Sequence, residues 1–285
     1  MNEYSRIERI AIRRPEQAFG SQMQIASQWH DLNYHSAPDF DEAVSEYGAF
    51  VDVLAQSGAE IIELAAMEEA SLDSIYVRDS LIVTPKGLVK AGMGKARRRD
   101  EPAENAHLLY DRGENIAGEI ELPGMVEGGD LVWLDDETLL AALGYRTNRA
   151  GIDQLQAILG AGVTIDAFDI PHFKGADDVF HLMSVLSPVD ENLAVVYLPL
   201  MPVRLVQFLH DRGIGFVEVP DDEFESMGCN VLAIAPRHVV MVAGNSETQR
   251  RLEAAGCTVD AIKAQEISRK GEGGPTCLTR PLVRT

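Results

Sequence analysis

The 285-residue chain carries a formal net charge of −20, with 46% hydrophobic and 25% charged residues. That balance belongs to a soluble globular protein long enough for one large domain or two ordinary ones. Such acidity argues against a nucleic-acid surface and against anionic membranes, while it attracts cationic ligands and serves solubility.

In chain order, the start "RIERIAIRRPEQ", the helical pattern "DFDEAVSEYGAFVDVLAQSG" and the strand "AEIIEL" form an irregular strand–helix–strand unit. Between them, "SQMQIASQWHDLNYHSAPD" at 21–39 is polar with little periodicity, and reads either as a mobile cover for a site or as a surface excursion. "SLIVTPKGLVKAG" at 80–92 is a hairpin turning on Pro85–Gly87. From 130 to 162, two apolar runs flank the turn Asp135–Thr138; helical spacing at Ile152, Leu155, Ile158 and Leu159 then ends at Gly160 and Gly162, and the strand "VTIDAFDI" follows. The plan returns at 183–219, with a turn at Pro188–Asn192. It returns again at 230–262, with a turn at Pro236–His238, Ser246 as N-cap, a helix to Ala255 and Gly256 as its stop.

This recurrence predicts an α/β protein of many small sheets. A doubly wound sheet ranks second, because it would need far fewer hairpins. One residue stands before the first strand of each unit: Asp79, Glu127, His181, Cys229 with Asn230, and Cys277. From 79 through 127, 181 and 229 to 277, the intervals are 48, 54, 48 and 48 residues. Modules set around an axis bring such positions together, so two carboxylates, an imidazole and a thiol are expected to meet. Cys277, in "GGPTCLTRPL", is then the candidate nucleophile rather than a packed hydrophobe, and His181 the candidate general acid/base. Cys229 reads as a packed neighbour of a structural Asn230, and Cys257 as buried and inert. His30, His35, His107, His172, His210 and His238 read as solvent or loop residues.

Two carboxylates beside a thiol oppose thiolate formation unless a cation lies between them, so the ligand should be positively charged. A guanidinium, with five donors in a planar fork, suits Glu127 and Asp79. Arg146 and the run Arg97–Arg99 are candidates for gripping a substrate carboxylate. With three widely spaced cysteines there is no disulfide framework, and without CxxC or HExxH spacing there is no argument for zinc. No segment reaches the roughly 18 apolar residues of a membrane span. The first residues lack a signal peptide's apolar stretch, so a reducing cytoplasm is the expected setting.

The chain resembles the guanidino-group-modifying superfamily, which includes dimethylargininase, arginine deiminase and the amidinotransferases. The resemblance rests on "LDSIYVRD" (72–79), "VEGGD" (126–130), "RTN" (146–148), "VFHLMS" (179–184) and "GGPTCLTRPL" (273–282). It implies one catalytic domain over 1–285, a five-bladed propeller of ββαβ modules, and hydrolysis at a guanidino carbon through a Cys-thiouronium. The product would be citrulline, with no metal or organic cofactor. By matching motif, Cys277 resembles the nucleophile, His181 the acid/base, Glu127 and Asp79 the guanidinium-holding carboxylates, and Asp73 a polar substrate contact. Arg146 and Arg98 resemble the carboxylate-binding arginines, with Arg97 and Arg99 as neighbours of uncertain alignment. Met183 stands where deiminases and amidinotransferases carry Asp, which favours dimethylargininase; Arg78 stands where dimethylargininase typically shows an acidic residue, closer to the deiminase pattern. Arginine deimination, amidino transfer and a non-catalytic binding protein for cationic amines are the rivals. The expected partner is a small guanidine rather than nucleic acid or membrane, and self-association is left open.

Overall fold

The apolar runs form antiparallel hairpins, and each later helix returns the chain to a strand parallel to its hairpin's second strand. In the computed structural model, which describes residues 1–67, 71–176, 178 and 180–285, β1 (Ile7–Ile12) is followed by helix Phe40–Gln56 and by β2 (Glu60–Glu63). The second blade is β3 (Leu81–Thr84), β4 (Gly87–Lys90), helix Glu101–Tyr110 and β5 (Ile116–Glu119). The third is β6 (Leu131–Trp133), β7 (Thr138–Leu143), helix Arg149–Leu159 and β8 (Thr164–Asp169). The fourth is β9 (Leu186–Asp190), β10 (Leu193–Val196), helix Val203–Asp211 and β11 (Gly215–Glu218). The fifth is β12 (Leu232–Ala235), β13 (His238–Val242), helix Ser246–Ala254 and β14 (Thr258–Ile262). Finally β15 (Thr279–Arg284) pairs antiparallel with β1, so the first blade has the order β15-β1-β2 and is built from both ends of the chain.

The blades close because each buries apolar surface against the next. Ala11 and Leu282 pack with Leu81 and Leu88, Ile82 and Val89 with Leu131 and Leu139, and Leu140 and Ala142 with Leu186 and Ala194. Val189 and Val195 pack with Val231 and Val239, and Leu232 and Val240 return to Ile10 and Ile12. That circuit makes the expected five-bladed α/β propeller, with burial of aliphatic side chains as its adhesive. The helix Phe40–Gln56 shows how sequence drives it: Asp39 caps its start by accepting from the Glu42 N–H. Ala43, Tyr47, Phe50, Val51 and Leu54 then line one buried stripe.

Three local expectations change. Pro188 lies within β9 opposite Ala194, at a register irregularity, and the turn comes after Asp190; a proline is accommodated because β9 is paired on one side only. Ser246 begins its helix but Asn245 precedes it as the cap residue. The first helical N–H groups are met instead by the Glu223 carboxylate, which accepts from Glu247 and Thr248. The polar run at 21–39 contains a helix, Gln22–Gln28, capped by Ser21. Val179 of the "VFHLMS" motif lies outside the described residues.

Tyr47 ties the first blade's helix to the last strand, because its buried hydroxyl donates to the Leu278 carbonyl at 3.1 Å, one residue beyond Cys277. Tyr47→Phe is expected to cost about 1 kcal/mol in urea unfolding, the worth of one buried hydrogen bond whose acceptor loses its partner. An unchanged unfolding midpoint would show that this tether does not bear on stability.

Candidate active site

Glu127 and His181 each stand immediately before one turn of 3₁₀ helix, Gly128–Asp130 and Leu182–Ser184, at the entry to the inner strand of a blade. Asp79 and Cys277 hold the corresponding places before β3 and β15. The repeat therefore delivers the four side chains to one end of the ring. Cys277, His181 and Asp79 line a cavity of about 240 Å³, with Asp73, Tyr76, Lys95, Arg98, Arg146, Lys174, Asp178 and Glu272 around them. Cys277 is half-buried rather than sealed in the interior.

Glu127 does not line this cavity. It lies fully buried behind the imidazole, its Oε2 2.8 Å from His181 Nε2, while its Oε1 accepts the backbone N–H groups of Gly94 and Lys95. Arg146 Nη1 approaches the same Oε2 at 3.5 Å. Asp79 does face the cavity; its Oδ2 takes Arg98 Nη1 at 2.7 Å, its Oδ1 takes the Gly129 N–H, and His181 Nδ1 stands 3.9 Å from it. Gly129 must be glycine, since a Cβ there would lie 2.5 Å from His181 Nδ1 and 2.9 Å from Asp79 Oδ1.

Burial disfavours the imidazolium of His181, but Asp130, Asp79 and the Glu127 hydrogen bond outweigh it and raise the pKa to about 9. Glu127 is driven the other way: burial would raise it, yet the bond to His181 and the nearby guanidinium of Arg146 hold it ionised. Asp130, whose carboxylate accepts from Thr147 Oγ1 at 2.6 Å and from the Leu182 N–H, is pushed up by burial to about 6. The Cys277 thiol is pushed up by burial and by Asp79, against the opposing pull of Asn230, Thr276 and Arg78. At neutral pH the site thus pairs an imidazolium with a thiol whose ionisation awaits a further cation.

Arg98 departs from its expected role. Its Nε and Nη2 bind Glu101, Nη1 binds Asp79, and Nη2 also reaches the Tyr76 carbonyl, so the guanidinium braces Asp79 instead of standing open to a carboxylate. Arg97 is exposed and pairs with Asp31, away from the cavity lining. Arg146 lines the cavity as expected, and so does Asp73, which Lys95 Nζ approaches at 2.5 Å.

Sequence reasoning passed over three groups. Asn230 donates its carboxamide to Cys277 Sγ at 3.2 Å and accepts from the N–H and hydroxyl of Thr276; its position in the repeat was the available signal. Gly274 permits this approach, because a Cβ there would fall 2.5 Å from Asn230 Oδ1. Lys174 and His35 also line the cavity, His35 bonded to Glu272 at 2.9 Å, and no repeat position marks either one. Leu32, Asn33 and His35 of the 21–39 run line the cavity. Cys229 and Cys257 are buried in an apolar cluster, as expected.

Asp79, Glu127 and His181 place ligand atoms within 4.8 Å of one another. Their carboxylates are engaged by Arg98 on Asp79 and by Arg146 and His181 on Glu127.

A five-bladed propeller with a thiol, an imidazole and carboxylates at one end of its channel defines a guanidino-group-modifying enzyme. Residues 21–284 match the family model for N,N-dimethylarginine dimethylhydrolase of eukaryotic type, and the chain belongs to that family, whose members hydrolyse a C–N bond of an amidine. It is 28% identical over 244 residues to an N(G),N(G)-dimethylarginine dimethylaminohydrolase of Streptomyces coelicolor, covering 85% of this chain and 86% of that one. An arginine deiminase of Rhodococcus opacus is 29% identical over 244 residues, with 74% of this chain and 60% of the relative covered. The dimethylargininase of Pseudomonas aeruginosa, solved as a cysteine-to-serine mutant complexed with citrulline, superposes with a TM-score of 0.79 at 23% identity, over 98% of this chain and 100% of that one.

His181 gives a pH signature. A raised imidazole pKa stabilises the fold fully below the ordinary 6.5 and loses that contribution as pH rises through about 9. Stability should therefore fall across this window in wild type, and Glu127→Gln should move the imidazole midpoint downward in an NMR titration. A wild-type midpoint at the unperturbed value would contradict the buried ion pair.

Proposed function

We propose that the protein hydrolyses N-methylated arginine, releasing a methylamine and citrulline. The observation that carries this choice is a small recess of about 50 Å³ beside Cys277 and His181, where Phe173, Phe180, Met183, Phe224 and Met227 supply apolar surface within a lining that also includes Lys174, Asp178, Glu225 and Glu272. A carboxylate at position 183 would ask for unsubstituted N–H donors; a buried thioether instead welcomes methyl groups, each worth about 0.8 kcal/mol when buried.

In the reaction, the guanidinium enters the acidic cavity and its Cζ faces the Cys277 sulfur, with Asp79 accepting hydrogen bonds from its N–H groups. The incoming charge offsets Asp79's repulsion and promotes loss of the thiol proton to solvent. The thiolate forms a C–S bond at Cζ, and the tetrahedral adduct passes a pair of electrons to the leaving nitrogen as His181 protonates it. Dimethylamine departs and a thiouronium remains. Water then adds to Cζ, giving one proton to His181; collapse breaks the C–S bond and regenerates the thiolate, and the remaining hydroxyl proton passes to solvent as the ureido C=O forms. Glu127 holds the imidazole in the charged form needed for the first half, Asn230 steadies the sulfur, and Arg146 with Lys174 grips the substrate carboxylate. The chain works as one catalytic unit, without metal or organic cofactor, in a reducing cytoplasm that keeps its free thiols reduced.

Incubation with dimethylarginine, monomethylarginine and arginine, assaying ureido product and released amine together, tests the reading. One dimethylamine per citrulline is expected, with kcat/KM for dimethylarginine above that for arginine. Ammonia release from arginine as the dominant reaction would overturn the substrate choice. Cys277→Ser should abolish turnover while circular dichroism stays native, and residual wild-type rates would refute the nucleophile. Arg146→Gln should raise KM by about tenfold or more with a smaller change in kcat, as expected for loss of a charge-assisted contact to an unreacting group. An unchanged KM would remove Arg146 from carboxylate binding.

A further inference from the structure

The inner strands that begin at the catalytic residues end at a second, separate cavity. It measures about 80 Å³ and lies against β15 and the ends of β3 and β6, lined by Glu3, Val83, Trp133, Arg280 and Arg284 among others. In a chain of net charge −20, this pocket is basic. Arg280 and Arg284 line it, Arg78 bonds Glu3 from outside the lining, and all three guanidiniums act on that carboxylate electrostatically. Arg78 Nη1 reaches Glu3 at 3.3 Å. Arg78 and Arg280 are at least nine-tenths buried.

Their hydrogen bonds are incomplete. Nη2 of Arg78, Nε of Arg280 and Nη2 of Arg284 are buried donors with no hydrogen-bond partner among the described residues. Donors of this kind are ordinarily satisfied, because an unpaired N–H loses water and gains nothing in return. The charge is uncompensated as well: burial and the neighbouring guanidiniums depress Arg280 to about 9, with only Glu3 and the more distant Asp79 opposing them. Burial likewise lowers Arg284 to about 10. Asp79 is already engaged by Arg98.

We propose that this cavity binds a small tetrahedral oxyanion of the phosphate or sulfate class, held by Arg280 and Arg284, which line it, with Arg78 behind Glu3 adding positive charge. The two lining guanidiniums offer the forked donors that such an anion accepts and outnumber the one carboxylate, Glu3, that also lines the cavity, and the volume admits a single oxyanion rather than a nucleotide. The site is independent of the substrate cavity. Arg78 nevertheless links the two ends, since its Nε donates to the Thr276 carbonyl at 2.7 Å, one residue before the nucleophile.

The test is calorimetric titration of the full-length protein with sodium phosphate and with sodium sulfate, against sodium chloride at matched ionic strength. Saturable one-site binding of phosphate or sulfate is expected, weakened at least about tenfold by Arg280→Gln and retained in Arg146→Gln. Loss of binding in Arg146→Gln with retention in Arg280→Gln would move the anion to the substrate cavity and overturn the proposal, as would no saturable binding to wild type. Should Arg280→Gln fail to fold, Arg284→Gln supplies the same comparison, and the wild-type titration stands by itself.

Discussion

Closure of the ring is the constraint on which everything else depends. A three-stranded sheet has one face too many to survive alone in water, and each blade covers that face with its neighbours. The circuit ends only when the last residues of the chain pair with the first, Ile12 opposite Thr279 and Ile10 opposite Pro281. Cys277 stands two residues before that pairing begins, so the contact that completes the fold also carries the thiol to His181, 96 positions earlier in the chain. Helix Phe40–Gln56 reinforces the same junction through Tyr47 and through Glu46, whose carboxylate accepts the Glu266 and Ile267 N–H groups.

Around the substrate cavity, buried charge is tolerated because it is alternated. Arg98 lies between Asp79 and Glu101, and Glu127 between His181, Arg146 and two backbone donors. Removing one member of such a chain would strand its partner in a low-dielectric interior, which is why these groups act as a rigid set. The thiol is the exception: its strongest charged neighbour is an anion, and the group that would favour its ionisation has to arrive from outside. The site is thus poised for a cation by an imbalance at one atom, within surroundings otherwise neutralised pair by pair.

The repeat was legible in the sequence because hairpin, helix and strand recur with turn residues at nearly fixed intervals, and it located Asp79, Glu127, His181 and Cys277 without any contact information. What a side chain does at its position was less legible. Glu127 and Asp79 occupy matching places, yet one lies behind the imidazole and the other faces the cavity. That difference is set by which neighbours, Gly94 and Lys95 or Arg98, reach each carboxylate. Arg98 reads as a free cation until Glu101, three residues on, is seen to fork onto it. Asn230 looked structural beside Cys229, since nothing local to "GCNVLAIAP" announces a bond to a sulfur 47 residues away. Capping by Glu223 was hidden for the same reason, the acceptor lying 24 residues before the amide it serves.

Arg78 shows how a motif residue can mislead about specificity. As a letter beside Asp79 it points toward the deiminases. Its side chain, however, turns away from the substrate cavity, with Thr276 and Glu3 as its partners and no place among the cavity-lining residues. A residue that cannot touch the substrate cannot select it by contact, so its identity has no weight in choosing between methylated and unmethylated arginine. Met183 does border the thiol's recess, so on the proposed reaction the difference between a thioether and a carboxylate would bear on the leaving nitrogen. Of two signals that disagree, only the one that borders the nucleophile has a physical route to the substrate.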